Sequence, residues 1–549
     1  MKNLKTNTYA VGIDFGTLSA RAVLLDLETG SIVAEALSEY THGVITALPE
    51  GNPLPDGYAL QHPKDYLDAL SACFASLWQT SGVSPSAVVG LGIDFTASTL
   101  LPVDGKGEPL CFSTVFKDEP HAYAKLWRHH GATKEAEDIN RCARARGEDF
   151  LSRYGGKISS EFFLPKVLET ARRAPAVYDA AACFSEAGDW LTRRLVGKPL
   201  QTAVFAGYKA LWSEKEGFPS AAFLEALEPR LSTLFTEKVI TPVKSFPDIA
   251  GYLSEEGSAL TGLPVGCAVA LPTIDAHAAL PAFGIVGEGE LLLILGTSAC
   301  HILHAKEERQ IGGICGYVQG LFPGLYTYEA GQSCFGDHFA WLAQNALPDA
   351  YRAAAEQEGK SLFEYLNTLA EQVPVGADGL LALDWFEGCR SPYDNDALSG
   401  LLLGLRTDTR PEAIYRALLE AVAFGTRRIV DTYKEAGLPI SRMVAGGGIA
   451  EKNPLLLQIL ADVLNAPVTV PLLPYSSAVG SALYGALAAG AIEDPAAAGR
   501  LLSYEERLYT PSGNAKAYGE IYGEYLSLSR LFAEGEGLSL MQKLQNRRA

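Results

Sequence analysis

At the start of the chain, apolar side chains alternate with small or polar ones. Tyr9, Val11 and Ile13 lead into Asp14-Phe15-Gly16-Thr17, and apolar residues return at Ala22-Val23-Leu24-Leu25 before Asp26. Period-two alternation broken at a glycine predicts a β-hairpin. A second strand-like run, Val88–Phe95, stops at the polar cluster Thr96-Ala97-Ser98-Thr99. Between 120 and 240 the period lengthens and Ala, Arg and Glu fall at amphipathic spacing, which predicts mostly helix. Residues 122–130, with Trp127 among them, are read as one such helix, and 189–196, closed by Gly197, as another.

A second strand-rich block opens at Gly289. Glu290–Leu295 meets a turn at Gly296-Thr297-Ser298 and returns through Cys300–His304, echoing the first hairpin. Two domains that each open with the same hairpin are the expectation. Further on, a long helix is predicted from Pro411 to Ala436, stopped at Gly437. The strand Ser441–Ala445 runs into Gly446-Gly447-Gly448, and Asn453-Pro454 starts a helix with Asn as its cap and Pro at its first position. Leu455, Leu456, Ile459, Leu460, Val463 and Leu464 define its apolar face, and Val468–Val470 is again a strand. Alternating strands and helices imply an α/β fold in both halves. The glycine-rich stretch 284–289 is the expected boundary, giving domains 1–285 and 286–549.

Length and charge narrow the function classes. A chain of 549 residues exceeds what one hydrophobic core supports, so two large domains are expected. No apolar run approaches the roughly 18 residues of a membrane helix, and the basic N-terminus has no apolar segment behind it, so no signal peptide is expected. Nine scattered cysteines without a C-x-x-C pair fit reduced thiols and a cytoplasmic location. A net charge of −19 argues against nucleic acid or an anionic membrane as partner. Any nucleotide site must then rest on backbone amides, helix N-termini and Mg²⁺.

Candidate chemistry begins at Asp14-Phe15-Gly16-Thr17-Leu18-Ser19. Gly16 permits a tight turn, Thr17 and Ser19 offer hydroxyls, and the turn offers amides to a phosphate. Asp14 could orient a Mg²⁺ through water, because Mg²⁺ takes one or two carboxylates and keeps several waters. An ordinary hairpin turn explains the same residues, and the motif is neither a P-loop nor a dinucleotide fingerprint. Gly296, Thr297 and Ser298 form the matching candidate in the second block. Gly446 and Gly447 leave a flat backbone against which an adenine or ribose can lie. Asp275, between an apolar strand and Ala276-His277-Ala278-Ala279, is either a helix cap or a general base. Glu329, flanked by Tyr326 and Tyr328, is either a surface group on an edge strand or a polyol contact. The nine histidines show no zinc-pair geometry.

The order of these motifs is more specific than any one of them. D-x-G-T-x-S-x-R at the start, D-A-H-A-A mid-chain, a G-T-S hairpin, then G-G-G before N-P-L-L-L-Q resembles the FGGY carbohydrate kinases. Leu164-Pro165-Lys166-Val167-Leu168 and Arg390-Ser391-Pro392 fit as well, so the resemblance spans roughly 9–490. Gly92–Thr99 and Gly207-Tyr208-Lys209-Ala210-Leu211-Trp212 are similar to the ribulokinase members. Phe116-Lys117-Asp118-Glu119 departs from their run, which has His where this chain has Glu119.

The resemblance implies two actin-like, ribonuclease-H-like domains with a catalytic cleft between them, the first binding sugar and the second nucleotide. It implies sugar contacts at Ala97, Trp127, Lys209, Asp275 and Glu329, ATP phosphates at Gly16, Thr17, Ser19, Gly296, Thr297 and Ser298, and adenosine at Gly446 and Gly447. The implied reaction is ATP- and Mg²⁺-dependent phosphorylation of a ketopentose such as L-ribulose, with Asp275 as base and domain closure excluding water. D-ribulose, pentitols or xylulose are alternative substrates. A non-catalytic sensor and an actin- or chaperone-like ATPase are alternative uses of the fold. The acidic, tyrosine-containing segment 515–545 can cap its domain or serve a homodimer.

Overall fold

The structure, a computed structural model, describes residues 8–48, 51, 53–545 and 547. The chain forms two compact units that interleave in sequence. The first takes the chain up to Val286, then Tyr317–Thr327 and Leu473–Ser503; the second takes Gly287–Gly316, Tyr328–Leu472 and the chain from Tyr504.

In the first unit Tyr9–Phe15 and Ser19–Asp26 form the expected antiparallel hairpin, with Asp14 opposite Arg21. Tyr9–Phe15 also pairs in parallel with Val88–Phe95, which brings Asp14 opposite Asp94. The short strand Thr273–Ile274 pairs with the end of Val88–Phe95 in the same sense, setting Thr273 opposite Asp94. Three adjoining strands therefore end together, and ligand sites in α/β sheets form at such carboxyl ends. Ile32–Glu39 closes one edge of the sheet, and Ala268–Val269 with Gly251–Tyr252 the other.

Helix Ser476–Ala488 lies on this sheet at backbone distance. A Cβ on Gly92 would fall 1.8 Å from the Ser481 carbonyl oxygen, and one on Gly480 would fall 1.8 Å from that of Ala278. Only glycine permits these approaches, and through Gly480 the helix also supports helix Asp275–Ala282.

The second unit repeats the opening. Glu290–Leu295 and Ala299–Ala305 form an antiparallel hairpin, and Glu290–Leu295 runs parallel to Arg442–Gly446. Val468–Pro471 and Glu506–Tyr509 extend the sheet. The long helix is one piece, Pro411–Glu435, and Asn453 caps helix Pro454–Leu464 by accepting from the Leu456 amide at 3.0 Å. Helix Ala515–Ala533 caps this unit. Tyr518 OH accepts from Arg416 at 2.6 Å, and Tyr522 OH donates to Asp431 at 2.7 Å, both on Pro411–Glu435.

The helix expected over 122–130 does not form. Pro120–Ala122 is a single 3₁₀ turn and Ala124–Lys125 an extended strand paired with Leu60–Gln61. The buried Lys125 ammonium explains the difference: it donates to Lys166 O, Glu169 Oε2 and Thr170 Oγ1 at 3.0, 2.7 and 2.7 Å. These tertiary bonds outweigh the few tenths of a kcal/mol per residue that helix propensity supplies. Glu119, where the family pattern has His, accepts from the His121 amide at 3.1 Å and caps that 3₁₀ turn.

Candidate functional site

Parallel pairing delivers Asp14, Asp94 and Asp275 to neighbouring strand ends of the first unit. Asp94 is fully buried, and its Oδ2 accepts from the Ser481 hydroxyl at 2.6 Å. Burial first, and then the charge of Asp14, holds the Asp94 carboxyl well above the usual carboxylate range; Asp275 adds to the same push. Burial thus favours the neutral form at Asp94 over that of the less buried Asp14 opposite it. Burial also raises Asp14, while a hydrogen bond with Asp94 and the charge of Arg21 pull it back down. The cluster therefore does not carry three full negative charges, as close carboxylates cannot all ionise together.

Asp275 is the first residue of helix Asp275–Ala282, with Ile274 in the cap position. The cap reading of Asp275 is corrected by one residue: its Oδ1 accepts from the adjacent Ala276 amide at 2.8 Å. The side chain belongs to the first helical turn, where negative charge is favoured.

Around the first hairpin turn, Gly16 N donates to Ser19 O at 3.0 Å, closing the loop and leaving Leu18 at its exposed tip. Trp127, partly buried, donates its indole N–H to Thr17 Oγ1 at 3.3 Å, and Gln61 Nε2 donates to Thr17 O at 2.6 Å. One wall thus brings together Thr17, a phosphate candidate, and Trp127, a sugar candidate. Ala97 is partly exposed in the turn after Val88–Phe95, next to Ser98, whose φ of 58° is left-handed.

Lys209 ends helix Ala203–Lys209 and pairs with Glu161 Oε2 at 2.7 Å. Its ammonium also lies 5.3 and 5.8 Å from the centroids of the Tyr208 and Phe162 rings. Asp94, Ser481 and Glu161 are the residues that sequence reading missed. The strand holding Asp94 was visible, but pairing partners are not encoded in alternation. Ser481 comes from a helix almost four hundred positions downstream.

In the second unit the Gly296-Thr297-Ser298 turn closes through Gly296 N to Ser298 O at 2.9 Å, as in the first hairpin. The carbonyl of Thr297 accepts from the Phe335 and Gly336 amides at 2.7 and 2.9 Å, which fixes the turn at the start of helix Asp337–Asn345. Gly446 ends its strand, and Gly447 has a φ of 94° with its Cβ position 2.6 Å from Leu295 O. The hairpin and the glycine run therefore pack together. Gly448 opens a short helix, Gly448–Lys452, that precedes Asn453. Glu329 sits on strand Tyr326–Gln332 at 4% exposure, so it is no surface group.

Among the described residues no group of three or more His, Cys, Asp or Glu side chains is placed to hold a metal ion, and no helix is long and apolar enough to cross a membrane.

Comparison with known proteins shows the family and the fold. The sequence pattern of the FGGY family of carbohydrate kinases, N-terminal domain, matches residues 9–282, and the C-terminal domain of the same family matches residues 291–489. A ribulokinase of Bacillus licheniformis is 45% identical over 539 residues, covering 96% of this chain and 98% of that one. A ribulokinase of Geobacillus thermodenitrificans is 44% identical over 547 residues, covering 98% and 97%. Among solved structures, a xylulose kinase from Rhodospirillum rubrum matches with a TM-score of 0.78 at 25% identity, covering 95% of this chain and 99% of that one. A xylulose kinase from Lactobacillus acidophilus, at 18% identity and TM-score 0.77 over 96% and 99%, shares the fold.

Proposed function

The chain belongs to the FGGY family of carbohydrate kinases, ATP-dependent phosphotransferases, and on that premise we propose that its sugar is a ketopentose, L-ribulose. The γ-phosphoryl group of ATP passes to the 5-hydroxyl, giving L-ribulose 5-phosphate and ADP. The observation that carries this reading is the likeness to ribulokinases along nearly the entire chain, at 45% and 44% identity. It is supported by the stretches Gly92–Thr99 and Gly207–Trp212, which resemble the same subgroup.

Asp275 is the proposed general base. Its carboxylate accepts the proton of the 5-hydroxyl as that oxygen attacks phosphorus in line. Such transfers pass through a loose transition state, so positioning and charge neutralisation carry most of the rate. We assign sugar hydroxyls to Lys209 and Glu329, and the sugar's backbone to the walls holding Ala97 and Trp127. Lys209 reaches them while shared with Glu161, whose carboxylate keeps the ammonium in place. ATP phosphates go to the amides and hydroxyls of Gly16, Thr17, Ser19, Gly296, Thr297 and Ser298, and adenosine to Gly446 and Gly447.

A Mg²⁺ bound with the nucleotide would neutralise phosphate charge, and Asp14 is the residue to hold it through water. The donor set fits such an ion: Asp14 is a partly exposed carboxylate at its strand end, and Mg²⁺ keeps most of its waters and takes few protein ligands.

A coupled assay of ADP formation across L-ribulose, D-ribulose, L- and D-xylulose, pentitols and glycerol tests the assignment. L-ribulose should give the highest kcat/KM. A pentitol or xylulose above it would replace the proposed substrate while leaving the family intact.

A further inference from the structure

We propose that Lys166 is a positioning residue for the sugar, tying together the backbone segments that carry Ala97 and Trp127. The inference rests on the reading that those two residues contact the sugar.

Lys166 lies on helix Phe163–Arg173 and is completely buried. Its Nζ donates to Ser98 O at 2.6 Å and to Leu126 O at 2.9 Å, with Ser98 Oγ at 3.4 Å. A lysine ammonium has three donors, and here they point at two loops remote from each other in sequence. Ser98 directly follows Ala97, and Leu126 directly precedes Trp127. One side chain therefore sets the spacing between the two proposed sugar walls without reaching the sugar itself.

The same network extends to the third proposed contact. Ser98 holds a left-handed φ of 58°, a conformation that costs a non-glycine residue and persists only when its surroundings enforce it. Its carbonyl is fixed by Lys166, and its hydroxyl donates to the Glu161 carbonyl. Glu161 in turn pairs through its carboxylate with Lys209 at 2.7 Å. Ala97, Trp127 and Lys209 are thus connected through Ser98, Lys166 and Glu161.

No carboxylate forms a direct ion pair with Lys166 among the described contacts. Glu186 is the carboxylate that favours its charge most, itself buried and on the strand Cys183–Glu186 opposite Leu100. Burial pushes the ammonium down and the Glu186 carboxyl up; the charges of Glu186 and Glu161 favour the ammonium, those of Lys209 and Lys125 oppose it, and its direct contacts are the Ser98 and Leu126 carbonyl oxygens. A buried cation used in this way is expensive for stability alone, because apolar residues of similar volume often serve as well or better.

The test uses the full chain carrying Lys166→Met, and Lys166→Met with Glu186→Gln to remove the buried countercharge, assayed with whichever sugar the wild type phosphorylates. The sugar KM should rise at least about tenfold in a folded variant, the cost of a misplaced binding wall. The ATP KM should rise several-fold less than the sugar KM, since of the proposed phosphate contacts only Thr17 touches Trp127, and the Tm should stay within about 5 °C of the wild type in that variant. A folded variant with an unmoved sugar KM overturns the proposal, as does a parallel change in both KM values that tracks the loss in Tm. Failure of both variants to fold also overturns it, by making Lys166 a structural residue. Trp127→Ala and Lys209→Met are the separate arm: unmoved sugar KM values there refute the sugar-contact reading, whatever Lys166 does.

Discussion

Asp275 differs from its two neighbours at the strand ends in one respect: it opens a helix, while Asp14 and Asp94 lie side by side in the sheet, where burial favours keeping a proton on the pair. An amide at position 275 keeps the oxygen that accepts from Ala276 N and gives up only the charge favoured in a first helical turn, so Asp275→Asn should fold with its thermal midpoint lowered by no more than a few degrees. For the reaction, what it loses is the ability to take a proton. Turnover should fall at least about 10²-fold in a coupled assay, the low end for a lost general base, with the sugar KM little changed. Near-normal kcat in that variant would remove Asp275 from the chemistry. The residue itself was legible in the sequence only through its place in the order of motifs, since its local surroundings fit a cap equally well. Asp94, Ser481 and Glu161 were not legible, because each acts through a partner that tertiary pairing brings near.

The packing of strand Ala299–Ala305 on helix Pro411–Glu435 buries His301, whose Nε2 meets Thr426 Oγ1 at 3.3 Å. Burial pushes the imidazole down to about 3 from its ordinary 6.5. The unfolded chain then binds a proton between those values that the folded chain refuses, so the buried neutral ring costs nothing above pH 6.5 and costs stability increasingly as pH falls towards 3. From pH 7 to pH 5 the loss is about 2 kcal/mol. Urea titrations at the two pH values should show His301→Leu reducing the wild-type drop by that amount; an equal drop in both proteins would contradict it.

Helix Ser476–Ala488 offers a second test at this scale. Gly480→Ala forces a methyl against the Ala278 carbonyl, and overpacking of this kind costs about 1–3 kcal/mol. Because the helix pushed away carries Asp275, kcat should fall along with the melting temperature. A fully stable, fully active Gly480→Ala would show that the two helices can part freely. Strands and helices with a clear period were readable from sequence, including both hairpins, the long helix and the Asn453 cap. The 122–130 segment was not, because Lys125 and its buried partners hold it extended against its pattern. Nor does an alanine-rich helix carry any mark that it returns to the first unit.

Across the whole molecule, two units with the same opening topology carry different candidate residues after it: three strand-end aspartates in the first, a glycine run packed on the hairpin in the second. The proposed roles follow that difference: the candidate base lies in the first unit, the candidate adenosine contacts in the second, and each hairpin turn offers amides and hydroxyls to phosphate. The chain's net charge of −19 makes the last point sharper, since no basic patch is required to hold ATP. The most direct test follows the phosphorus. With ATP, Mg²⁺ and L-ribulose, ³¹P NMR should show ADP and a single sugar phosphomonoester on O5 appearing in equal amounts, with no ADP formed when the sugar is withheld. ADP release at the same rate with and without sugar, or a phosphoryl group on any other oxygen, would contradict the account.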